Sequence, residues 1–411
     1  MQKKIGVDEL VVGMYVAQFC GSWIDNPFWR SHFLISDPKQ VAQIKASKIL
    51  ELWIDSAKGL DVMRPDTLAR FAGTAPMPMH AGSSISSGDT LLAPSPIADE
   101  LVRAAQICEK ARTAVTSMFR EARMGNTVDV VGVNQLVQDI SDSVTRNSSA
   151  LISLARLKTA DDYTYMHSVA VCAMMIALGR QLGLSASDIR AAGLAGLLHD
   201  IGKALLPIEV LNKPGKLTPA EFEIIKGHPE LGLRLLGDAG KSNPMVLEVC
   251  LQHHEKVDGS GYPKGLKSDE ISLYAKMGAV CDVYDAITSN RPYKAGWDPG
   301  ESMRQMGSWA ESHFDRAVFQ AFARSLGIYP VGSLVRLTSG RIGVVVEQSP
   351  HALTMPVVKV FYSDRTKQRI APENVNLSAP GGSDRISARE DPAQWNFPDL
   401  NQLWSGLPAA G

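Results

Sequence analysis

His199 and Asp200 stand side by side at the end of an apolar helical run, Ala191 to Leu198, and are followed by Gly202 and Lys203. An imidazole and a carboxylate beside a buried face are costly unless paired or bound to a cation. His167 precedes them; His228 and the adjacent pair His253 and His254 follow, so five of the nine histidines lie between 167 and 254. Asp282 adds a second carboxylate. Imidazole and carboxylate are the side chains that hold Zn, Mn or Fe at neutral pH. Any one of these histidines alone reads as a hydrogen-bonded core residue. Together, on or at the ends of helices that should pack against one another, they predict a metal centre.

A carboxylate that bridges two cations holds them roughly 3.5–4 Å apart. Such a pair can share a water, lower its pKa to give hydroxide near neutral pH, and stabilise an in-line displacement at phosphorus. Asp200 is the candidate bridge. Lys203, one turn past His199, is either a phosphate clamp or a solvated lysine favoured by a helix C-terminus. Arg291 and Lys294 follow the helix that bears Asp282 and offer two further cations. Cys250, one turn before the His253–His254 pair, reads as core.

The elements that must position these residues are helices. Tyr163 to Leu182 reads as a helix carrying His167. Ser185-x-x-Asp188 opens the helix that ends at His199 and Asp200. Thr218-Pro219-Ala220-Glu221 combines an N-cap, a first-turn proline and a glutamate at the third position. Asn243-Pro244 starts the helix ending at His253 and His254. Ile271 to Ser289 is a long apolar helix with Asp282 and Asp285 three residues apart on one face. The Gly- and Pro-dense stretch from Glu255 to Leu266 between the last two is a loop of defined turns.

Upstream, Asp99 to Arg123 and Val131 to Leu157 read as helices. The first suits an amphipathic core helix, with a dimer or interdomain role as the alternative. Residues 1–72 read as a small α+β domain: short strands over Val7 to Phe19, a helix over Asp37 to Lys48, a strand over Ile49 to Asp55, and aromatics Trp23, Phe28 and Trp29 around Pro27. Residues 73–97, poor in charge and rich in Gly, Ser and Pro, read as a flexible linker with His80 solvated. Residues 98–330 form the helical domain, 331–377 a small β appendix of three strands, and 378–411 a tail with Trp395, Phe397 and Trp404 as docking points. The fold class is mainly α, a helical bundle with a small α+β N-terminal domain and a β appendix.

At 411 residues the chain is too long for one ordinary core. The 42 basic and 43 acidic residues leave a net charge of −1, which argues against binding a nucleic acid polymer or an anionic membrane surface. Five scattered cysteines without a C-x-x-C pair point to reduced thiols and a cytoplasmic location. The most apolar stretch, Val169 to Leu178, falls short of the roughly 20 residues a membrane span needs.

The combination His199-Asp200-x-Gly202-Lys203, His253-His254-Glu255, Asp258-Gly259-x-Gly261-Tyr262-Pro263 and Asp282-x-x-Asp285, followed by Arg291 and Lys294, resembles the HD-GYP family over residues 145 to 330. That family is a subgroup of the HD superfamily of metal-dependent phosphohydrolases and hydrolyses the bacterial second messenger cyclic di-GMP. The N-terminal unit resembles a small domain of unknown role that precedes HD-GYP domains. The resemblance implies hydrolysis of cyclic di-GMP to pGpG, with GMP as a further product, by a metal-bridged hydroxide. It implies two divalent ions per chain, Fe or Mn ahead of Zn, Mg or Ni, held by His167, His199, Asp200, His228, His253, His254 and Asp282. Lys203, Gly261, Tyr262, Pro263, Arg291 and Lys294 would face the substrate; Asp285, grouped with them, would also support the ligands from behind. Some members hold a third ion with a glutamate four residues before the first histidine; Tyr163 stands there, so a two-metal site is expected. An HD phosphohydrolase for another nucleotide and a catalytically silent cyclic di-GMP-binding adaptor are the alternatives. A second copy of the chain or a signalling protein is the partner left open, and residues 1–72 are the expected regulatory unit.

Overall fold

The structure is a computed structural model and describes residues 2–19, 33–45, 49–60, 93, 95–126, 130–157, 163–213, 215–238, 243–289, 296–310, 312–349 and 352–406. Trp23, Phe28, Trp29, His80, Arg291, Lys294, most of the expected linker and the Tyr163 side chain lie outside the described residues. The chain divides into two units, Met1–Leu91 and Leu92–Gly411.

In the first unit, β1 (Gln2–Gly6), β2 (Tyr15–Phe19), β3 (Phe33–Leu34), α1 (Pro38–Lys45) and β4 (Glu51–Asp55) follow one another. The strands form an antiparallel sheet in the order β1-β4-β2-β3. β4 shows the reason: Glu51 and Trp53 are exposed while Leu52 and Ile54 are buried, the period-two pattern of a strand with one covered face. Ile5, Val16, Ile35 and Ile44 complete that core. Val7–Glu9, expected as strand, is a 3-10 turn.

The second unit begins with α2 (Ile97–Arg123), α3 (Val130–Arg146), α4 (Ser148–Ala155), α5 (Tyr163–Gln181) and α6 (Ala186–Leu198). It continues with α7 (Ile208–Leu211), α8 (Pro219–Lys226), α9 (His228–Asp238), α10 (Pro244–Gln252), α11 (Leu273–Thr288), α12 (Pro299–Trp309) and α13 (Arg316–Leu326). α5 is its axis. Every residue from Val169 to Leu178 is buried, and α2, α3, α4, α6, α11 and α13 all pack on this helix. A helix apolar on all sides belongs inside a bundle. Among the described residues no helix is long and apolar enough to cross a membrane. α2 buries Leu101, Ala104, Ile107, Ala111, Val115 and Phe119 against this bundle, as a core helix does. The continuous helix expected over Val131 to Leu157 is broken at Asn147, whose side chain accepts the Ser149 and Ala150 N–H groups and starts α4.

The C-terminal part departs further from expectation. Sequence reading expects three strands and a tail. The sheet has five, β5 (Leu334–Leu337), β6 (Arg341–Glu347), β7 (Val357–Ser363), β8 (Gln368–Asn376) and β9 (Ile386–Arg389), in the order β8-β7-β6-β5-β9. The tail supplies β9 and then α14 (Leu400–Ser405), whose Trp404 is 3% exposed. Trp404 shares one core with Leu101, Ala150, Val331, Leu334 and Phe361, so sheet and helices are sealed by the same apolar cluster. Trp395 and Phe397 stack on each other and pack against this cluster rather than serving as free docking points.

Candidate metal centre

Four helix ends and two helix faces converge on one buried point. α5 presents His167. α6, opened by the Ser185 side chain accepting the Asp188 N–H, runs out at Leu198, directly before His199 and Asp200. A 3-10 turn over Ile201–Leu205 carries Lys203. α8, opened by the reciprocal Thr218–Glu221 capping box, hands over through Gly227 to α9, which begins at His228. α10 ends at Gln252, ahead of His253 and His254, and α11 carries Asp282 and Asp285. Gly202 is the hinge of this convergence. A Cβ there would lie 1.9 Å from the His228 carbonyl oxygen, so only glycine lets the turn after Asp200 seat against the start of α9.

The seven expected ligands fall into two neighbouring groups, Asp200, His228, His253 and His254 in one, His167, His199 and Asp282 in the other. Within each, the donor atoms lie within 4.8 Å of one another. Asp200 faces both. Its Oδ2 is 3.4 Å from His167 Nε2 and 3.4 Å from His199 Nε2, while its Oδ1 is 3.2 Å from His228 Nε2 and 3.7 Å from His253 Nε2. Asp282 repeats the pattern more loosely, with Oδ1 3.1 Å from His167 Nε2 and Oδ2 3.7 Å from His254 Nδ1.

The outer nitrogens of the imidazoles are committed. His199 Nδ1 donates to the Gly196 carbonyl at 2.8 Å, His228 Nδ1 to Ile225 at 2.7 Å, and His253 Nδ1 to Val249 and Cys250 at 3.0 Å each. A carbonyl only accepts, so these Nδ1 atoms hold protons and leave Nε2 as the inward lone pair. His167 is fixed by a carboxylate instead: Asp285 Oδ2 takes its Nδ1 at 2.7 Å. The inward nitrogens meet in pairs, His167 with His199 at 3.2 Å and His228 with His253 at 3.2 Å. Facing lone pairs at this distance repel, and a cation between them would relieve that repulsion. The buried Asp200 Oδ1 has no hydrogen-bond partner, an acceptor that a divalent cation would satisfy. The donor set fits divalent metal ions.

The titration behaviour agrees. Burial alone would lower His167, but the carboxylates Asp200, Asp282 and Asp285 hold it up to about 10. Burial pushes His253 well below the usual histidine range, helped by His254, His199 and His228. Burial takes His254 to about 3 despite the pull of Asp282. Burial would raise Asp200, yet Lys203 and His199 hold it far below the usual carboxylate range.

Asp285 is buried, holds His167 and accepts the Ser289 hydroxyl at 3.2 Å, which fits the supporting place behind a candidate ligand that sequence reading also gave it. Asp282 and Asp285, one turn apart, hold the two nitrogens of a single imidazole. Lys203 Nζ meets Asp200 Oδ2 at 2.5 Å with its side chain 22% exposed, which places it at the mouth of the site. Tyr262 stacks on His254, ring centroids 4.6 Å apart and planes at 28°. Gly261 is dictated by close approach: a Cβ would sit 2.3 Å from the Lys256 nitrogen. Pro263 follows Tyr262 through a cis peptide bond. Glu255, quoted in the motif but given no role by sequence reading, is 3% exposed and accepts the Lys264 and Leu266 N–H groups at 2.7 and 3.0 Å. It pins the loop that carries Tyr262. Its only advance signal is its place directly after two ligands. Cys250 is a core thiol, pushed up to about 12 by burial.

Residues 138–318 match the HD domain family and residues 2–133 match a domain of unknown function, DUF3391. The chain is 50% identical over 410 residues to a curated cyclic di-GMP phosphodiesterase of Pseudomonas aeruginosa, spanning 99% of this chain and 96% of that protein. It is 38% identical over 181 residues to a cyclic di-GMP phosphodiesterase response regulator of Xanthomonas campestris, covering 42% of this chain and 47% of the relative. It is 35% identical over 180 residues to a 3′3′-cGAMP-specific phosphodiesterase of Vibrio cholerae, covering 43% and 41%. With Tyr262 of the Gly261-Tyr262-Pro263 loop stacked on His254 and 50% identity over nearly the whole chain, the chain belongs to the HD-GYP family of HD-domain phosphodiesterases, preceded by a DUF3391 domain.

Proposed function

We propose that this protein hydrolyses the phosphodiester bonds of cyclic di-GMP to pGpG, with GMP as a further product, in second-messenger signalling. The observation that carries the reading is Asp200, whose two carboxylate oxygens each face a separate histidine group. His167, His199 and Asp282 would hold one divalent ion and His228, His253 and His254 the other, with Asp200 shared. Two ions, Fe or Mn ahead of Zn, Mg or Ni, would supply Lewis acidity at phosphorus and an activated water.

The chain's own residues do the rest. Asp285 fixes the His167 tautomer and ring plane, and the backbone carbonyls fix those of His199, His228 and His253. Lys203 stands with its charge at the edge of the site, where it can meet a non-bridging phosphate oxygen. Gly261, Tyr262 and Pro263 wall the site on the His254 side. Arg291 and Lys294 complete the proposal as partners of the second phosphate. A cytoplasmic location fits Cys108, Cys172, Cys250 and Cys281 being free thiols.

The test is incubation with cyclic di-GMP and with 3′3′-cGAMP under Mn(II) or anaerobic Fe(II), products separated by chromatography. Cyclic di-GMP should be the better substrate, and Asp200→Ala should lose both turnover and bound metal. No cleavage of cyclic di-GMP with either metal refutes the activity. Equal turnover by the variant refutes the site. Three ions per chain after anaerobic purification refutes the two-ion reading.

A further inference from the structure

The two-metal centre accounts for cleavage of a phosphodiester but not for recognition of a base. Beside it stands a helix whose composition the core does not explain. α8 has no buried residue, yet it carries Phe222 and Ile224 at 45% and 42% exposure. A singly exposed apolar side chain is ordinary on a protein surface, so what sets Phe222 apart is the set of rings it touches. The helix is nevertheless held firmly by polar devices. Thr218 and Glu221 close its first turn, and Lys213 Nζ binds both Glu221 oxygens at 2.8 and 2.6 Å.

Phe222 is joined to the metal centre by a run of rings. His254, in one of the two donor groups, stacks on Tyr262 at 4.6 Å. Tyr262 meets Phe222 edge to face, centroids 6.5 Å apart and planes at 77°. Lys226, one turn on from Phe222 along α8, holds its Nζ 5.1 Å from the Phe222 centroid and 6.0 Å from that of Tyr262. Its side chain is 30% exposed and pairs with Glu223 at 2.6 Å. An aromatic surface with a cation at its rim thus begins at a metal-binding histidine and runs outward into solvent. In a cyclic dinucleotide a purine lies one ribose away from the phosphate under attack. Aromatic faces hold such bases by stacking, worth about 1–3 kcal/mol per base.

We propose that Phe222, flanked by Tyr262 and Lys226, is a nucleobase-stacking platform that confers preference for purine cyclic dinucleotides over simple phosphodiesters. The ligand class is a purine base attached to the phosphate at the metal centre. The assignment rests on the phosphodiesterase reading above and extends it to a residue outside the HD and Gly-Tyr-Pro motifs. Phe222 acts by holding substrate and takes no part in bond breaking, so its loss should move KM and spare kcat.

The experiment compares wild type, Phe222→Ala and Phe222→Trp on cyclic di-GMP and on bis(p-nitrophenyl) phosphate, a diester without a base. Phe222→Ala should raise KM for cyclic di-GMP about 5- to 150-fold, the fold-change equivalent of one stacked base. Its turnover of the base-free diester should stay within about twofold of wild type, because no stacking is lost there. Phe222→Trp should restore the KM for cyclic di-GMP. Equal losses on both substrates, or an unchanged KM for cyclic di-GMP, overturn the proposal. Calorimetric binding of cyclic di-GMP to Asp200→Ala, with and without Phe222→Ala, separates it from the activity assignment. Failure of wild type to cleave cyclic di-GMP removes the proposed function. Unaltered affinity on loss of Phe222 removes the platform.

Discussion

Glu255 should control the order of the loop that bears Tyr262 without touching metal or substrate. Its carboxylate is 3% exposed and receives two backbone N–H groups, Lys264 at 2.7 Å and Leu266 at 3.0 Å. Hydrogen bonds to a charged acceptor contribute about 1.5–3 kcal/mol each. In Glu255→Gln one amide oxygen remains as a neutral acceptor while the NH2 group faces the other backbone N–H donor to donor. One bond is weakened and one is lost, a local cost of about 2–4 kcal/mol. The start of the loop has other ties, with Val257 and Asp258 N–H donating to the His313 and Ser312 carbonyls at 3.3 and 3.2 Å and Asp258 bridging to Lys267, while its Tyr262 end is held by Tyr262 N–H on the His254 carbonyl at 3.2 Å and by Gly261 packed on the Glu255 and Lys256 backbone. The cost should therefore appear as local opening. Native-state hydrogen exchange of the peptide spanning 256–266 should speed up about 30-fold or more, with α5 protection unchanged. KM for cyclic di-GMP should rise while metal content holds. Unaltered exchange at Lys264 and Leu266, together with wild-type KM, would refute the claim that this carboxylate pins the loop.

Three further outcomes are expected. Asp285→Asn removes the charge that fixes His167 and should weaken Mn(II) affinity about 10- to 100-fold by chelator competition, with little change in thermal stability. Gly202→Ala places a methyl group 1.9 Å from the His228 carbonyl oxygen; backbone displacement should cost at least about 1–3 kcal/mol by denaturant titration and lower metal content in the same preparation. Glu100 sits fully buried with Arg146 at 2.8 and 2.9 Å, Ser143 at 2.8 Å and Arg103 at 2.9 Å. Burial would raise its carboxyl, but these donors hold it below the usual glutamate range. A lowered folded-state value means that its stabilisation is present at neutral pH and fades as pH falls below about 4.5. Glu100→Gln should cost about 3 kcal/mol at pH 7, with the deficit shrinking in denaturant melts toward pH 3.

The candidate metal ligands were legible because residue type and local rules coincide. Ser185, Thr218 and Asn243 announce helix starts, and their caps form as read. Those starts place His199, His228, His253 and His254 at helix boundaries, where side chains from separate elements can meet. What sequence reading could not give was direction. The three-residue spacing of Asp282 and Asp285 says that they share a face, but not that both address one imidazole. Phe222 carries no signal in the sequence, since its exposure depends on how α8 stands beside the bundle. β8 was missed because Pro372 interrupts it, and a proline is tolerated there because β8 is an edge strand. β9 is four residues long and finds its place only by pairing with β5. The helices α12 and α13 had readable signals, the Asp298 and Asp315 caps, that went unused.

The cluster that joins Trp404 to Leu101 and Ala150 also sets an order of events. Leu101 leaves the ribosome roughly three hundred residues before Trp404, and contacts of such separation form late because a long loop must close first. The histidine-bearing helices lie wholly between those two points. They can therefore assemble around α5 while the apolar sides of α2 and α4 still wait for their cover. In that interval Leu101, Val331 and Leu334 are exposed to solvent and to other chains, the condition under which multi-element proteins aggregate. Refolding yield, rather than final stability, is where the last strand and helix should exert their largest effect.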